Sequence, residues 1–545
     1  MANARRGESH PDLLPFLEDP ASYPHRPEHV RMIHTHISYV AIVPPFAYKV
    51  KKPVDFGFLD FSTLEARRRY CEIEIDLNAR LCAGVYEQVV PIALDGGALR
   101  FGSGEKVVEY ALRMRALEDG AFLDERIAQV GRNEVDRIVA KLGDFYAGQA
   151  RSAEIAAWGR TERLAVNTDE NFAQTEDAVG DLVSRPAHRA IRTFTRGFYE
   201  YMASLLARRR AGGHIVDGHG DLHLAHVHLT PASLCIFDCI EFNERFRYLD
   251  VANDVAFLAM DMDMHERPDL ARYLVDRMAQ VLADPELPAL MDFYKCYRAL
   301  VRAKVEGMRS EQPEVPDAER AASRERARHY YRLALRYALA GSEPIVIAFM
   351  GRVGTGKTTQ AERLADALGW PCVSSDRVRK EAAGVPLHVR GSEAERSRLY
   401  ARHMTERTYA TMRSDALAHV RSGRGVLLDA TYGDRHQRDA LRDALAPQGI
   451  RWFFVELTGS DAVLRDRLRQ RVDASDVISD ARLEDFERLS ERFAPPDALE
   501  DAHHVVVDTD DASEEDTMLE VLETLVHLGW ERRGAGDEAP QEQEV

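Results

Sequence analysis

The spacing of apolar positions divides the chain into two regions with different predicted architectures. In the C-terminal third, apolar runs of strand length alternate with segments of helical spacing. The first example is the run 345–350, followed by apolar Ala361, Leu364, Ala365 and Leu368. The alternation continues to about residue 530. Strands that alternate with helices predict a parallel sheet covered by helices.

The N-terminal two-thirds of the chain has a strand-rich part followed by a helix-rich part. Four runs there have the alternation of strands, and one longer segment has helical spacing. These are the strands 33–43, 47–54, 89–92 and 107–112 and the helix 63–81. Beyond about residue 120 the pattern is mostly helical, except for short strands and loops between 214 and 250. We therefore expect a strand-rich lobe followed by a helical lobe.

A complete phosphate-loop motif lies between the predicted strand 345–350 and the helix after it. Residues 351–358 read Gly-Arg-Val-Gly-Thr-Gly-Lys-Thr, which matches G-x-x-x-x-G-K-[ST]. Glycines let backbone N–H groups surround phosphate oxygens, and the helix N-terminus adds partial positive charge. The lysine reaches the β- and γ-phosphates, and the last hydroxyl binds Mg²⁺. We assign nucleotide contacts to Gly351, Gly354, Thr355, Gly356, Lys357, Thr358 and Thr359.

Two acidic residues end strands of the same region. Asp376 follows a short strand, and Asp429 ends the apolar run 426–429. Asp376 resembles the aspartate of nucleoside- and gluconate-kinase-like enzymes that orients the acceptor hydroxyl, although it could also be a helix N-cap. Asp429 is predicted to be a metal ligand together with Thr358, and its alternative is a plain buried strand end.

Arginines of the C-terminal third are candidates for contacts with anions. Arg467 and Arg471 lie four residues apart on one predicted helix face and resemble a lid that clamps a transferring phosphoryl group. An exposed basic helix is the alternative, because other arginines occupy another face of that helix. Arg435 and Arg438 are weaker candidates for contact with an anionic acceptor.

A second cluster of chemistry lies at 219–241. His219-Gly220-Asp221-Leu222-His223 is followed by Asp238 at the end of a short strand. In kinases, one aspartate accepts the proton of the substrate hydroxyl, and a second, after a strand, holds Mg²⁺. This cluster resembles the H-G-D catalytic loop of the aminoglycoside phosphotransferase and choline kinase group. The resemblance implies that Asp221 is the catalytic base and Asp238 a metal ligand.

The same resemblance extends upstream to a lysine strand and a glutamate helix. Ala47-Tyr48-Lys49 resembles the strand that carries the phosphate-binding lysine. Lys51 is the alternative to Lys49, because residues two apart on a strand share a face. On the helix 63–81, Glu74 flanks the apolar stripe and is assigned as the ion-pair partner of the lysine. The strand 108–112 resembles the hinge that meets adenine.

His226 departs from the pattern of this group. The group has asparagine five residues after the catalytic aspartate, as a second metal ligand, whereas this chain has His226. Mg²⁺ prefers oxygen, so imidazole is a poor replacement. One metal could suffice, His226 could act through water, Glu241 could substitute, or the site could bind nucleotide without turnover. The Gly-rich loop of protein kinases is also missing between the first two strands.

Two further acidic residues, Asp250 and Asp254, resemble the structural acidic pair of the same group.

Composition narrows the function classes. The net charge of −18 argues against a general nucleic-acid or anionic-membrane binder. The six cysteines include no C-x-x-C pair, so we expect free thiols, no zinc site and a reducing, cytoplasmic location. Apolar runs are too short to predict a membrane span.

Residues 30–530 resemble bacterial proteins that join an aminoglycoside phosphotransferase-like domain to a phosphate-loop, AAA-type ATP-binding domain. The implied fold class combines α+β and α/β: a bilobal protein-kinase-like fold, then a parallel-sheet NTPase domain. The predicted segments are an irregular 1–30, lobes 31–115 and 116–340, a linker 341–344, the phosphate-loop domain 345–530 and a disordered tail 531–545.

The resemblance implies ATP, Mg²⁺ and a small-molecule hydroxyl acceptor whose identity it does not give. Three hypotheses stay open at this point. Both halves transfer phosphate, only the C-terminal domain is a kinase beside a degenerate sensor, or that domain is an ATP-driven switch.

Overall fold

The chain forms two compact units that are interleaved along the sequence. The computed structural model describes residues 5–6, 10–313, 315–388, 392–470, 482–496 and 503–534. The first unit comprises Met1–Gln174, Ala203–Ala299 and Met308–Arg320, and the second comprises Thr175–Met202, Leu300–Gly307 and Ala321–Val545. The segment 341–344, predicted to link two domains, is a turn inside the second unit.

The first unit is built on a six-stranded antiparallel sheet with the strand order β2-β3-β4-β8-β6-β7. Two short pairs, β9 with β12 and β10 with β11, carry the loops that follow. The strands of this unit are β1 Arg5–Arg6, β2 Arg31–His34, β3 Ser38–Val43, β4 Phe46–Lys51, β5 Val54–Asp55, β6 Tyr86–Asp95, β7 Ala98–Phe101, β8 Lys106–Arg115, β9 Ile215–Asp217, β10 Val227–Leu229, β11 Leu234–Ile236 and β12 Tyr248–Asp250.

The segment 1–30 is not irregular throughout, as the sequence had suggested. Its helix Leu13–Glu18 places Leu13, Phe16 and Leu17 in a core with Tyr48 of β4. The burial of these apolar side chains against the sheet outweighs the local Pro and His content, which had predicted an open loop. The helix Leu13–Glu18 therefore packs against the six-stranded sheet.

Helices make up most of the remainder of the first unit. Thr63 caps the helix after β5 by accepting a hydrogen bond from the Ala66 amide, which sets the start of that helix. The helices are α1 Leu13–Glu18, α2 Leu64–Ala79, α3 Leu123–Arg126, α4 Arg132–Ala147, α5 Ala153–Ala156, α6 Thr161–Gln174, α8 Ala203–Ala211, α9 Glu244–Arg247, α10 Val251–Met264 and α11 Pro268–Val281. Most of α12 Met291–Ser310 also lies here.

The second unit contains a five-stranded, fully parallel sheet with the order β14-β15-β13-β16-β17. The strands are β13 Ile345–Met350, β14 Cys372–Ser374, β15 Val426–Asp429, β16 Arg451–Thr458 and β17 His504–Asp508. Every residue of the central β13 is buried, as expected for a parallel strand covered on both faces. The predicted parallel sheet is confirmed.

The second unit's helices come from both regions of the sequence. They are α7 Arg185–Tyr201, α13 Asp317–Leu339, α14 Lys357–Leu368, α15 Ser375–Ala383, α16 Glu393–Leu399, α17 Arg402–Arg421, α18 Arg435–Leu445, α19 Asp461–Gln470, α20 Phe486–Ser490 and α21 Glu514–Gly534. The first four residues of α13 lie in the first unit. The predicted disordered tail overlaps the end of α21, and 535–545 lies outside the described residues.

Two of the six cysteines are paired, which corrects the expectation of free thiols throughout. Cys82, just after α2, and Cys235, on β11, form a disulfide with Cα atoms 4.6 Å apart. A pairing across 153 residues leaves no spacing signature in the sequence. Cys71, Cys239 and Cys296 are buried and lie outside this disulfide.

No helix among the described residues is both long and apolar enough to cross a membrane.

Candidate functional site

The phosphate loop is shaped by three glycines in the left-handed region of backbone space. Gly351, Gly354 and Gly356 have φ values of 135°, 87° and 90°. A Cβ at position 351 would overlap the carbonyl oxygen of Leu457, and one at position 354 would lie 3.0 Å from the carbonyl oxygen of Leu464. The loop therefore needs glycine both for its conformation and for its close approach to neighbouring backbone.

The lysine of the loop is held across the loop itself. Lys357 begins α14, and its Nζ donates to the carbonyl oxygen of Arg352 at 2.9 Å. The Thr355 hydroxyl donates to the same oxygen at 3.0 Å. Thr359 lies half-buried in the first turn of α14. The loop, its lysine and the helix N-terminus thus form a cradle with the donor chemistry that phosphate oxygens require.

The two predicted acids of this unit lie beside the loop. The Thr358 hydroxyl donates to Asp429 Oδ2 at 2.9 Å at the end of β15. Burial raises the pKa of the Asp429 carboxyl, Lys357 opposes that effect, and the negative charge of Asp376 adds to it. Asp376 lies in the first turn of α15, where the Tyr400 hydroxyl approaches its Oδ1 at 3.5 Å. The oxygen donors of Thr358 and Asp429 fit Mg²⁺, which favours hard oxygen ligands.

The arginine candidates of this unit have structural partners. Arg467 donates to the Thr509 hydroxyl at 2.7 Å and to the Thr509 carbonyl at 2.6 Å, so its guanidinium ties α19 to the end of β17. Arg471 lies outside the described residues. Arg438 is buried and donates to the carbonyl oxygens of Tyr432 and Ala494 at 2.8 and 2.9 Å. The predicted contact of Arg438 with an anionic acceptor substrate is therefore wrong, because its N–H donors hold two loops together.

Arg435 lies at the start of α18 and faces Asp439 at 3.5 Å on the same helix.

In the first unit, both strand lysines bind the same buried glutamate. Lys49 Nζ lies 2.7 Å from Glu74 Oε1, and Lys51 Nζ lies 2.6 Å from Glu74 Oε2. Lys49 also contacts Asp238 Oδ1 at 2.6 Å, and Lys51 contacts Glu241. The side chain of Glu74 is fully buried. The structure thus joins five residues from β4, α2 and the loop after β11 into one charge network.

The network sets the charge states of its members. Burial opposes ionisation of Asp238, yet the nearby Lys49 lowers the pKa of Asp238 below its usual range. Burial likewise opposes the charge of Lys49, and Asp238 and Glu74 raise the pKa of Lys49 above its ordinary value. Asp238 has φ of 62°, an unusual conformation for a residue other than glycine. Such conformations are concentrated at functional sites.

Asp254 of α10 holds the loop that carries Asp221 in place. Asp254 accepts hydrogen bonds from the amides of His219 and Gly220 at 2.7 and 2.9 Å. The other member of the acidic pair, Asp250, accepts two hydrogen bonds from buried Arg209. Both acids are thus structural, as their place in the sequence suggested.

His226 lies between Asp221, the predicted catalytic base, and Asp238, the predicted metal ligand. Its Nδ1 is 2.9 Å from the backbone carbonyl oxygen of Asp221, and its Nε2 is 3.5 Å from Asp238 Oδ2. The His223 ring lies against it at a tilt of 39°, with a ring-centroid distance of 3.9 Å. Burial lowers the pKa of His226, so the ring is neutral at pH 7.

Sequence reasoning missed several participants. His223 was part of the H-G-D-L-H motif but received no role, although its distance of three residues from His226 is a ligand spacing. Tyr400, which approaches Asp376, carries no motif and could not be found from the sequence. Glu241 was considered only as a replacement for His226, whereas the structure pairs it with Lys51.

A family model matches the region that contains the phosphate loop. Residues 346–496 match the family model described as an AAA domain. A gluconokinase from Sinorhizobium meliloti is 23% identical, covers 35% of this chain and 95% of its own, with a TM-score of 0.25. The Mycobacterium tuberculosis APS kinase CysC, in complex with AMPPNP and APS, is 18% identical. It covers 34% of this chain and 98% of its own, with a TM-score of 0.25.

Curated relatives match far more of the chain. The uncharacterized protein Rv2004c of Mycobacterium tuberculosis is 32% identical over 465 residues, which is 84% of this chain and 89% of the relative. The uncharacterized protein Mb2027c of Mycobacterium bovis matches equally. The match includes residues of both units, since neither unit alone is long enough to contain it. At this identity and coverage, the chain belongs to the family of these mycobacterial proteins.

Proposed function

We propose that this protein is an ATP-dependent phosphotransferase that acts on a small-molecule hydroxyl, with one nucleotide site in each unit. The observation that carries the proposal is the Thr358–Asp429 hydrogen bond of 2.9 Å at the phosphate loop, with Asp376 close enough to affect the Asp429 carboxyl. A nucleotide site with a second, separate acid is the arrangement that phosphoryl transfer needs.

The site residues of the second unit have distinct roles in the proposed reaction. Lys357 and the loop amides neutralise phosphate charge, and Thr358 and Asp429 hold Mg²⁺, which supplies further neutralisation when bound. Asp376 accepts a hydrogen bond, and then the proton, from the acceptor hydroxyl. The new bond joins the acceptor oxygen to the γ-phosphorus, and the bond to the ADP oxygen breaks. The acceptor is a small molecule that carries a hydroxyl group.

The first unit would perform the same reaction with a different set of residues. Asp221 would take the hydroxyl proton, Lys49 would contact phosphate, and Asp238 would hold a metal, with Glu74 positioning Lys49. The charge network and the fixed loop support this assignment, as does the resemblance to aminoglycoside phosphotransferases. The competing proposal is that only the second unit transfers phosphate and that the first senses a ligand. His226, in place of an oxygen ligand, favours that alternative.

Nucleotide stoichiometry of the full chain tests the number of sites. We expect the wild type to bind two nucleotides and Lys357→Ala to bind one, measured by equilibrium titration with an ATP analogue. A wild type that binds one nucleotide, and a Lys357→Ala variant that binds none, would leave only the second unit as a nucleotide site. A variant that binds like the wild type would contradict the phosphate-loop assignment.

Transfer tests the role of Asp376. Asp376→Asn should keep the nucleotide stoichiometry and lose transfer of labelled phosphate to a panel of sugars, polyols and nucleosides, by at least about 100-fold. Asp366→Asn, on the exposed face of α14, is the matched control. Loss of nucleotide binding in Asp376→Asn would make that residue structural, and ATP hydrolysis without transfer in the wild type would support the ATP-driven switch.

A further inference from the structure

Two imidazoles and two carboxylates meet at the catalytic loop of the first unit. We call the group of Asp221, His223, His226 and Asp238 the histidine cluster. One ligand atom from each of Asp221, His223 and His226 lies within 4.8 Å of the others. The Nε2 of His226 faces Asp238 Oδ2 at 3.5 Å, and the Nε2 of His223 faces Asp221 Oδ2 at 3.7 Å. The phosphotransferase assignment uses neither imidazole.

The hydrogen bonds of His226 determine which ring nitrogen is available to a ligand. Its Nδ1 lies 2.9 Å from the carbonyl oxygen of Asp221, which can only accept, so Nδ1 carries the proton. In the neutral ring, Nε2 then presents its lone pair toward Asp238. A backbone carbonyl that orients the far ring nitrogen is the usual support for a metal-binding histidine.

The distance between His226 and Asp238 fits an intervening cation. His226 Nε2 and Asp238 Oδ2 lie 3.5 Å apart. Two ligands at about 2.1 Å from a tetrahedral metal lie about 3.4 Å apart. The other oxygen of Asp238 is already bound by Lys49 at 2.6 Å, which leaves Oδ2 as the oxygen for a metal.

We propose that the histidine cluster is a mixed nitrogen and oxygen site for a borderline divalent cation, of which Zn²⁺ is the type. His226 and Asp238 are the ligands that the chain supplies. Imidazole suits Zn²⁺ and its neighbours in the transition series, whereas Mg²⁺ takes oxygen. The inference rests on the proposed function only for what the metal does, because binding needs neither nucleotide nor turnover.

Co²⁺ is the probe, since its visible absorption distinguishes few-coordinate sites with nitrogen ligands from octahedral oxygen sites. Full-length protein, treated with a chelator and free of nucleotide, should bind one Co²⁺ with the intense absorption of a four- or five-coordinate site. Zn²⁺ should displace the Co²⁺, and a large excess of Mg²⁺ should not. Absence of binding, or the weak spectrum of an octahedral site, would overturn the proposal.

Variants locate the site within the chain. His226→Asn should weaken Co²⁺ binding at least about tenfold. Asp429→Asn, which changes the phosphate-loop metal ligand, and His265→Asn, which removes a partly exposed histidine of the same unit, should retain it. Circular dichroism checks the fold, and Asp238→Asn should reproduce the loss if His226→Asn does not fold.

Unchanged Co²⁺ binding in a folded His226→Asn variant would overturn the assignment of the ligand. Loss of the signal in Asp429→Asn would place the metal at the phosphate loop instead and would also overturn it. Normal Co²⁺ binding without any phosphate transfer would contradict the proposed function alone, so the two failures are distinguishable.

Discussion

At the scale of single residues, the two strand lysines of β4 have different surroundings. Lys49 keeps 12% of its side chain exposed and binds Glu74 and Asp238, whereas Lys51 keeps 1% and binds Glu74 and Glu241. The more exposed lysine is the one that contacts the predicted metal ligand. We infer that Lys49 is the lysine that contacts the phosphate of a bound nucleotide and that Lys51 holds the two buried glutamates in place.

Replacement of Lys51 tests this division. Lys51→Met should lower the free energy of unfolding by about 3–5 kcal/mol, because removing one member of a buried ion pair leaves uncompensated charge. Urea denaturation measures the change, and Lys52→Met, at the partly exposed neighbour, should cost less than about 1 kcal/mol. A loss of similar size in both variants would mean that Lys51 is not the structural cation.

Gly351 and Gly356 form a matched pair for the phosphate loop. Both have positive φ. A Cβ added at position 351 would overlap backbone, whereas a Cβ added at position 356 would meet no atom of the surrounding protein within 4 Å. Gly351→Ala should therefore weaken binding of nucleotide to the second unit more than Gly356→Ala, by at least about tenfold, as measured by titration. Equal effects would mean that backbone conformation, rather than space, is the constraint.

Residue-level predictions from the sequence succeeded where a local pattern fixes geometry. The two-residue repeat of β4 places Lys49 and Lys51 on one face, and the helical stripe of α2 turns Glu74 toward them. Contacts with partners that are distant in sequence could not be predicted in this way. The arginine spacing on α19 is compatible with a lid, but the contact of Arg467 with Thr509 depends on the position of β17. The pairing of Cys82 with Cys235 could not be predicted either, because the two cysteines are distant in sequence.

At the scale of elements, helices α7 and α21 form an apolar interface inside the second unit. Trp530 stacks on Phe194 with ring centroids 4.9 Å apart, and its Nε1 donates to the Phe194 carbonyl oxygen at 3.1 Å. Gly197 of α7 has no room for a Cβ, because the Trp530 ring lies against it. The amphipathic pattern predicts each helix but not which helix it packs against.

This interface should be sensitive to loss of the ring. Trp530→Ala should destabilise the second unit by about 3–5 kcal/mol, because it removes a fully packed aromatic side chain. Thermal unfolding measures the change, and Val506→Ala, at an exposed position of β17, is the control. A small decrease in the melting temperature of Trp530→Ala, equal to that of the control, would show that α21 contributes little.

His188 of α7 gives this helix a pH dependence. Burial lowers its pKa below the ordinary value of 6.5, so the folded state disfavours the protonated ring. Stability is therefore complete above pH 6.5 and decreases as the pH falls below it, by at most about 1.4 kcal/mol per pH unit for one group. Urea unfolding of His188→Phe at pH 7 and pH 5 should show a shallower decrease than the wild type. An identical decrease would mean that other groups account for it.

At the scale of the whole molecule, sequence patterns predicted the parallel sheet of the phosphate-loop domain but not the division of the chain into two units. The parallel sheet follows from the alternation of strands and helices, which is local information. The assignment of α7 to the phosphate-loop unit follows from contacts across 336 residues between Phe194 and Trp530. Apolar periodicity cannot specify such a pairing, because any apolar face of suitable shape satisfies it.

The pairing of α7 with α21 has a consequence for biosynthesis. At about 5–20 residues per second, the ribosome completes Trp530 roughly 15–70 s after Phe194. During that interval the nascent chain carries the apolar face of α7 without its native partner, although the last segment of the first unit ends at Arg320, well before Trp530. The second unit therefore cannot finish folding until α21 has been synthesised. A molecular chaperone that shields α7 would act on this protein during synthesis rather than after it.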